Sequence, residues 1–126
     1  MGHPSRIVAV VDDDAAVRHA LKFVLESEDL EVRVHGSARS LLADPELARY
    51  GCMVIDYRMP DVDGLELAET LRGRGIVAPI IVITGRANAS MRQRAARLGV
   101  IAVLDKPLYD DSLSSAIHSA LGLPPP

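Results

Sequence analysis

The chain is 126 residues long with a formal net charge of −3, and 48 % of its residues are apolar, 25 % charged and 3 % aromatic. Size and composition together describe one domain with a substantial core, which excludes a disordered or fibrous polypeptide and leaves no length for a second folded unit. An acidic balance without Trp also argues against a segment that itself grips DNA or stacks single-stranded bases, since those tasks need a basic face or ring platforms.

Ile7–Val11 is continuously apolar and reads as a strand, and Val17, Leu21, Val24 and Leu25 follow at helical spacing. Glu31–His35 alternates polar with apolar and suits an exposed edge strand. Residues 37–43 predict a short helix, after which Pro45 forces a looser turn or a second short piece. A strand at 52–55 is followed by Leu67, Ala68 and Leu71, and the strand Ile80–Thr84 by Met91, Ala95 and Leu98. A last strand at 101–104 precedes Leu113, Ile117, Ala120 and Leu121. Four of the five strands are almost unbroken apolar runs, as expected of strands covered on both faces.

Five βα units in succession predict an α/β fold, a doubly wound parallel sheet with right-handed crossovers. The binding crevice of such a sheet lies at the carboxyl ends of the strands, beside the switch point in strand order. Residues 122–126 are proline-rich and read as a tail or the start of a linker. Residues 1–6 lack the apolar stretch of a secretion signal, and no apolar run approaches the roughly 20 residues that span a bilayer, so no membrane partner and a cytoplasmic location are expected. The single cysteine, Cys52, lies in an apolar run and is expected to be a reduced core residue. His3, His19, His35 and His118 have no ligand spacing and are read as surface residues without function.

The strand ends carry the chemistry. Strand one runs into Asp12, Asp13 and Asp14, and strand three into Asp56. If these strands are neighbours, Asp12, Asp13 and Asp56 share one pocket. Two like charges 4 Å apart repel by about 4 kcal/mol at an effective dielectric near 20, so such a cluster must protonate, spread or bind a cation. Lys106 at the end of strand five leaves two of the three negative charges uncompensated, and an all-oxygen site of that charge favours Mg²⁺, or Mn²⁺ in its place. Thr84 at the end of strand four adds a hydroxyl. Carboxylate, metal, ammonium and hydroxyl together form a receptacle for a phosphoryl group, with Asp56 as the candidate nucleophile. Asp14 is read as the cap of the first helix.

Four blocks, Val10-Val11-Asp12-Asp13-Asp14, Ile55-Asp56-Tyr57-Arg58-Met59-Pro60 with Asp63-Gly64, Thr84-Gly85, and Asp105-Lys106-Pro107, resemble the receiver domain of two-component response regulators. The likeness covers residues 6–121 and is strongest to receivers of regulators with helix-turn-helix output domains. It implies a flavodoxin-like sheet of strand order 2-1-3-4-5, and a single receiver domain over residues 1–126. It implies that Asp56 accepts a phosphoryl group from the phosphohistidine of a sensor histidine kinase or phosphotransfer protein. Mg²⁺ would be held directly by Asp13 and Asp56, by Asp12 largely through water, and by the backbone carbonyl of Arg58. Lys106 would contact the phosphoryl group, Thr84 would move toward it, and the Lys106-Pro107 bond would be cis. The switch would change the face made by helix four, strand five and helix five, for partner binding or a phosphorylation-dependent homodimer.

Some positions depart from the pattern. Val103 stands where the family usually has the Tyr or Phe of a rotamer switch, with Tyr109 as a conceivable substitute, and Leu108 stands where Phe is frequent. Arg58 and Arg86 sit at positions that tend to set acyl-phosphate lifetime, and two long cations there predict slow self-dephosphorylation. Arg86, Arg92, Arg94 and Arg97 are expected to face Asp105, Asp110 and Asp111 of a second copy. Three rival readings differ at named residues. A small metal-dependent phosphohydrolase needs a second carboxylate where Arg58 stands. An interaction module without phosphotransfer would lack one of the acidic or basic site residues. A flavin or nucleotide carrier would be repelled by Asp12 to Asp14.

Overall fold

The computed structural model describes residues 5–108 and 110–126. Its elements in order are β1 (Ile7–Val11), α1 (Ala15–Glu26), β2 (Glu31–His35), α2 (Ala38–Leu42), β3 (Cys52–Asp56), α3 (Gly64–Gly73), β4 (Ile80–Thr84), α4 (Ala89–Arg97), β5 (Val100–Asp105) and α5 (Ser112–Ala120), with a single 3₁₀ turn, Leu47–Arg49, between α2 and β3. All strand pairs are parallel, and the sheet runs β2-β1-β3-β4-β5. The order reverses between β1 and β3, so their carboxyl ends flank a crevice.

The period of two along each strand divides the core. Ile7, Ala9, Val11, Met53, Ile55, Ile80 and Val82 face α2, α3 and α4, where they pack with Leu41, Leu65, Leu71 and Met91. Val8, Val10, Val54, Ile81 and Ile83 face the other way, onto Leu25, Leu113 and Ile117 of α1 and α5. Burial of each such aliphatic side chain is worth about 1.5–3 kcal/mol, so both layers are held by the three central strands. Cys52 is wholly buried, and burial pushes its thiol up to about 12.

Side chains stop and start the helices. The Asp14 carboxylate accepts from the backbone N–H groups of Ala16 (2.9 Å) and Val17 (3.4 Å), and Asp63 and Glu66 form a capping box on α3. Asn88 caps α4 by accepting from Met91 N at 2.8 Å. The expected break after α2 is real: the chain re-enters a single turn at Leu47–Arg49.

Three expectations are corrected. The strand expected at 101–104 to be covered on both faces is an edge strand with Ile101 half exposed, because the order leaves β4 as its sole neighbour and an apolar run does not reveal sheet position. In α1 only Leu25 of the expected inward set is fully buried; Val24 is 47 % exposed, since this helix covers the edge of the sheet beside β2. Two histidines are not surface residues. His118 is buried and lies 2.9 Å from Glu28 Oε1 and 3.1 Å from the Pro124 carbonyl, while the His35 ring is enclosed by Ser40, Tyr50 and Asp44. Polar partners on both ring nitrogens offset the desolvation that spacing alone cannot anticipate. No helix among the described residues is long and apolar enough to cross a membrane.

Candidate functional site at the carboxyl ends of the strands

β1 and β3 are hydrogen-bonded neighbours, with Val11 opposite Ile55, so the residues that follow in each strand emerge side by side. One carboxylate oxygen from each of Asp12, Asp13 and Asp56 lies within 4.8 Å of the others. Asp12 and Asp56 are 2 % and 5 % exposed, so solvent does little to screen their repulsion. Asp13 is exposed at the mouth. The sequence expectation that these three converge therefore holds in the geometry.

Lys106, delivered by the end of β5, places Nζ 2.9 Å from Asp56 Oδ1 and 3.7 Å from Asp12 Oδ2. Burial raises the Asp56 carboxyl above the usual range, the lysine hydrogen bond opposes this, and the charges of Asp12 and Asp13 add to the rise. Burial alone would lower Lys106, but its hydrogen bond to Asp56 and the surrounding carboxylates prevail and hold it above the ordinary lysine value. One ammonium thus stabilises the cluster without neutralising it. The donor set is all oxygen and carries surplus negative charge at close spacing, which fits a hard divalent cation such as Mg²⁺.

Thr84 is 4 % exposed at the end of β4, its hydroxyl oxygen accepting from Arg86 N at 3.3 Å and its carbonyl from Lys106 N at 2.8 Å. Arg58, Arg86 and Thr84 line the same cleft as the acidic cluster. The Lys106-Pro107 peptide is cis, as the resemblance implied. Val103 is partly buried against the α2–α4 side of the core, Leu108 packs against the α1/α5 side, and Tyr109 lies outside the described residues.

The cation-rich face of α4 is less open than expected. Arg92 pairs with Asp105 at 3.4 Å and donates to the Val103 carbonyl at 3.2 Å, and Arg94 lies 3.8 Å from Asp63, all within one chain. Asp105 also accepts from Ala87 N at 3.0 Å, tying the β4–α4 loop to β5.

Sequence reading missed Arg18. From α1 its Nη1 donates to the Asp12 carbonyl at 2.7 Å. The available signal was a cation in the second turn of a helix that starts beside an acidic strand end.

Residues 8–118 match the sequence model of the response regulator receiver domain. The chain is 41 % identical over 115 residues to the transcriptional regulatory protein FixJ of Azorhizobium caulinodans, covering 91 % of this chain and 54 % of that protein. The crystal structure of FixJ-N superposes with a TM-score of 0.81 at 35 % identity, covering 97 % of this chain and 95 % of that one. The chemotaxis protein CheY4 of Vibrio cholerae, at 24 % identity, has a TM-score of 0.85 with 93 % and 99 % covered, and shows the fold alone. The chain spans about half the length of the curated relatives it matches.

Proposed function

The chain belongs to the response regulator receiver domain family, and from that premise we propose that Asp56 is its phosphoacceptor, loaded from the phosphohistidine of a sensor histidine kinase or phosphotransfer protein. A receiver domain of a two-component system is a phosphoacceptor switch rather than a turnover enzyme, and it binds Mg²⁺ at an acidic cluster. The observation that carries the assignment of Asp56 is its convergence with Asp12, Asp13 and the Lys106 ammonium on one crevice.

In the transfer, an Asp56 carboxylate oxygen attacks phosphorus, the P–N bond to the histidine breaks, and its electron pair stays on the imidazole nitrogen. An acyl phosphate and a free histidine result. Lys106 holds Asp56 through Oδ1 and offers its charge to the incoming phosphoryl oxygens. Asp12, Asp13, Asp56 and the Arg58 carbonyl would hold Mg²⁺ (or Mn²⁺), which would supply charge neutralisation at those oxygens, and pre-set electrostatics of this kind provide most of the acceleration. Thr84 then donates its hydroxyl hydrogen, which its bond from Arg86 N leaves unused.

Thr84 closes β4, and Arg86 and Ala87 follow it on the loop that leads into Asn88, the cap of α4. A shift of Thr84 toward the phosphoryl group strains the Ala87–Asp105 bond, and with it the seam between the β4–α4 loop and β5. Val103 has no ring to swing, so the signal travels through this loop to the face of α4, β5 and α5, which a second copy or another partner reads. Arg58 and Arg86 shield the acyl phosphate from water and make self-dephosphorylation slow. The receiver domain spans residues 1–126, with 122–126 as a proline-rich tail or the start of a linker, in a cytoplasmic setting.

The test is the whole-protein mass after incubation with acetyl phosphate and Mg²⁺. Wild type gains one phosphoryl group, and neither Asp56→Asn nor wild type with chelator does. Modified Asp56→Asn overturns the assignment. Sustained hydrolysis of a phosphoester would favour the phosphohydrolase instead.

A further inference from the structure

We propose that Arg18 is a positioning residue for the acidic pair, acting through the backbone of Asp12; the proposal rests on the metal reading given above. Asp12 is fixed at three points. Its N–H donates to the His35 carbonyl at 3.0 Å, its Oδ1 accepts from Asp14 N at 2.9 Å, and its carbonyl accepts from Arg18 Nη1 at 2.7 Å. The last bond fixes the peptide joining Asp12 to Asp13. Among the described residues no hydrogen bond holds the Asp13 side chain, so the direction in which it leaves the chain is set by that peptide.

The route of the guanidinium is itself built in. Arg18 passes against Gly36, just beyond β2, where a Cβ would stand 3.3 Å from Nη1, 3.7 Å from Cζ and 3.9 Å from Nη2. A Cβ at that position would press on the guanidinium, which must give by a few tenths of an ångström while bonded to Asp12. Gly36 is therefore the space through which α1 reaches the end of β1.

Two effects of Arg18 on the acidic pair have opposite signs. As a cation bonded to the Asp12 carbonyl it disfavours a second cation nearby, so on charge alone its removal would tighten Mg²⁺ binding. As an orienting group it favours the ligand geometry, and loss of such outer partners typically weakens metal affinity about 10- to 100-fold. The bond is short and charge-assisted, Asp12 is buried, and Asp13 depends on the same peptide. Orientation wins.

The experiment is calorimetric titration with MgCl₂ of wild type, Arg18→Met, Arg18→Lys and Gly36→Ala, together with Leu113→Ala, whose cavity opens in the core between the sheet and α5. Half-saturation rises about tenfold or more in Arg18→Met, rises less in Arg18→Lys, which keeps a donor, and rises in Gly36→Ala although Arg18 is intact. Leu113→Ala loses thermal stability and keeps the wild-type midpoint. Unchanged or tighter binding in Arg18→Met overturns the role of Arg18, as does an equal shift in Leu113→Ala, which would mean general loosening. Wild type that takes up no Mg²⁺ overturns the metal reading itself, a result distinct from the other two.

Discussion

Replacing Gly64 by alanine adds one methyl group where three atoms already stand. A Cβ there would lie 2.8 Å from the Asp56 carbonyl oxygen, 3.0 Å from Tyr57 Cα and 3.1 Å from Ile55 Cγ2. The first two are backbone, and Gly64 N also donates to the Tyr57 carbonyl at 2.8 Å, so neither side can swing aside as a flexible side chain would. Overpacking of this kind costs about 1–3 kcal/mol. With an unfolding entropy of about 2.1 cal/mol/K per residue, the chain loses roughly 4–11 °C in Tm. Gly73 ends the same helix with nothing within 4 Å of its Cβ position, so Gly73→Ala gains about 0.4–1 kcal/mol through helix propensity and a less flexible unfolded chain. The two variants make the same chemical change in one helix with opposite outcomes. Thermal unfolding followed by far-UV circular dichroism measures both. Because the displaced backbone is that of Asp56 and Tyr57, Gly64→Ala also raises the Mg²⁺ concentration at half-saturation. A Gly64→Ala protein as stable as wild type, with an unmoved Mg²⁺ midpoint, would refute the close approach of α3 to the end of β3.

Arg72 donates to the carbonyls of Leu98, Ile76, Ala78 and Gly99, joining the α3–β4 and α4–β5 connections, and among the described residues it has no carboxylate partner. Arg72→Met therefore costs about 1.5–3 kcal/mol in urea unfolding, and a loss below about 0.5 kcal/mol contradicts that role. The His35 ring is satisfied as the neutral form, Nε2–H donating to Tyr50 Oη and Nδ1 accepting from Ser40, and burial holds it below its ordinary 6.5 against the pull of Asp44. The Tyr50 hydroxyl holds the Asp44 carboxyl below its ordinary 3.8. Both groups bind protons more readily in the unfolded chain. The His35 contribution is full above 6.5 and is lost as pH falls through its lower folded-state value, and the Asp44 contribution is full above 3.8 and is lost below it. Tyr50→Phe should flatten the lower stage of a stability-against-pH curve, and an unaltered curve counts against the network. Arg58→Ala should shorten the acyl-phosphate lifetime, measured by loss of phosphoryl mass after removal of the donor; a longer lifetime contradicts shielding.

The parallel sheet was readable because its strands are apolar runs separated by helical spacing, and the acidic site because its residues sit at strand ends, which a doubly wound sheet brings to one edge. Asp56 and Lys106 are 50 positions apart in the chain and 2.9 Å apart in space, yet each was visible as a polar residue closing an apolar run. What stayed hidden depended on partners that no local pattern encodes. Ile101 belongs to an edge strand because of the order of the sheet, not its own composition. His118 is buried because Glu28, from the turn after α1, meets it. Arg18 reaches the Asp12 carbonyl past a glycine that directly follows β2.

Crowded carboxylates at the switch point, balanced by one ammonium and a divalent cation, are expected to make Asp56 and no other side chain reactive toward phosphorus. Borohydride reduction of the protein after acetyl phosphate treatment, followed by peptide mass spectrometry, locates the acyl phosphate directly. Reduction confined to Asp56 and dependent on Mg²⁺ is the predicted result; a label on Asp12 or Asp13, or the same yield in the presence of chelator, would contradict the account.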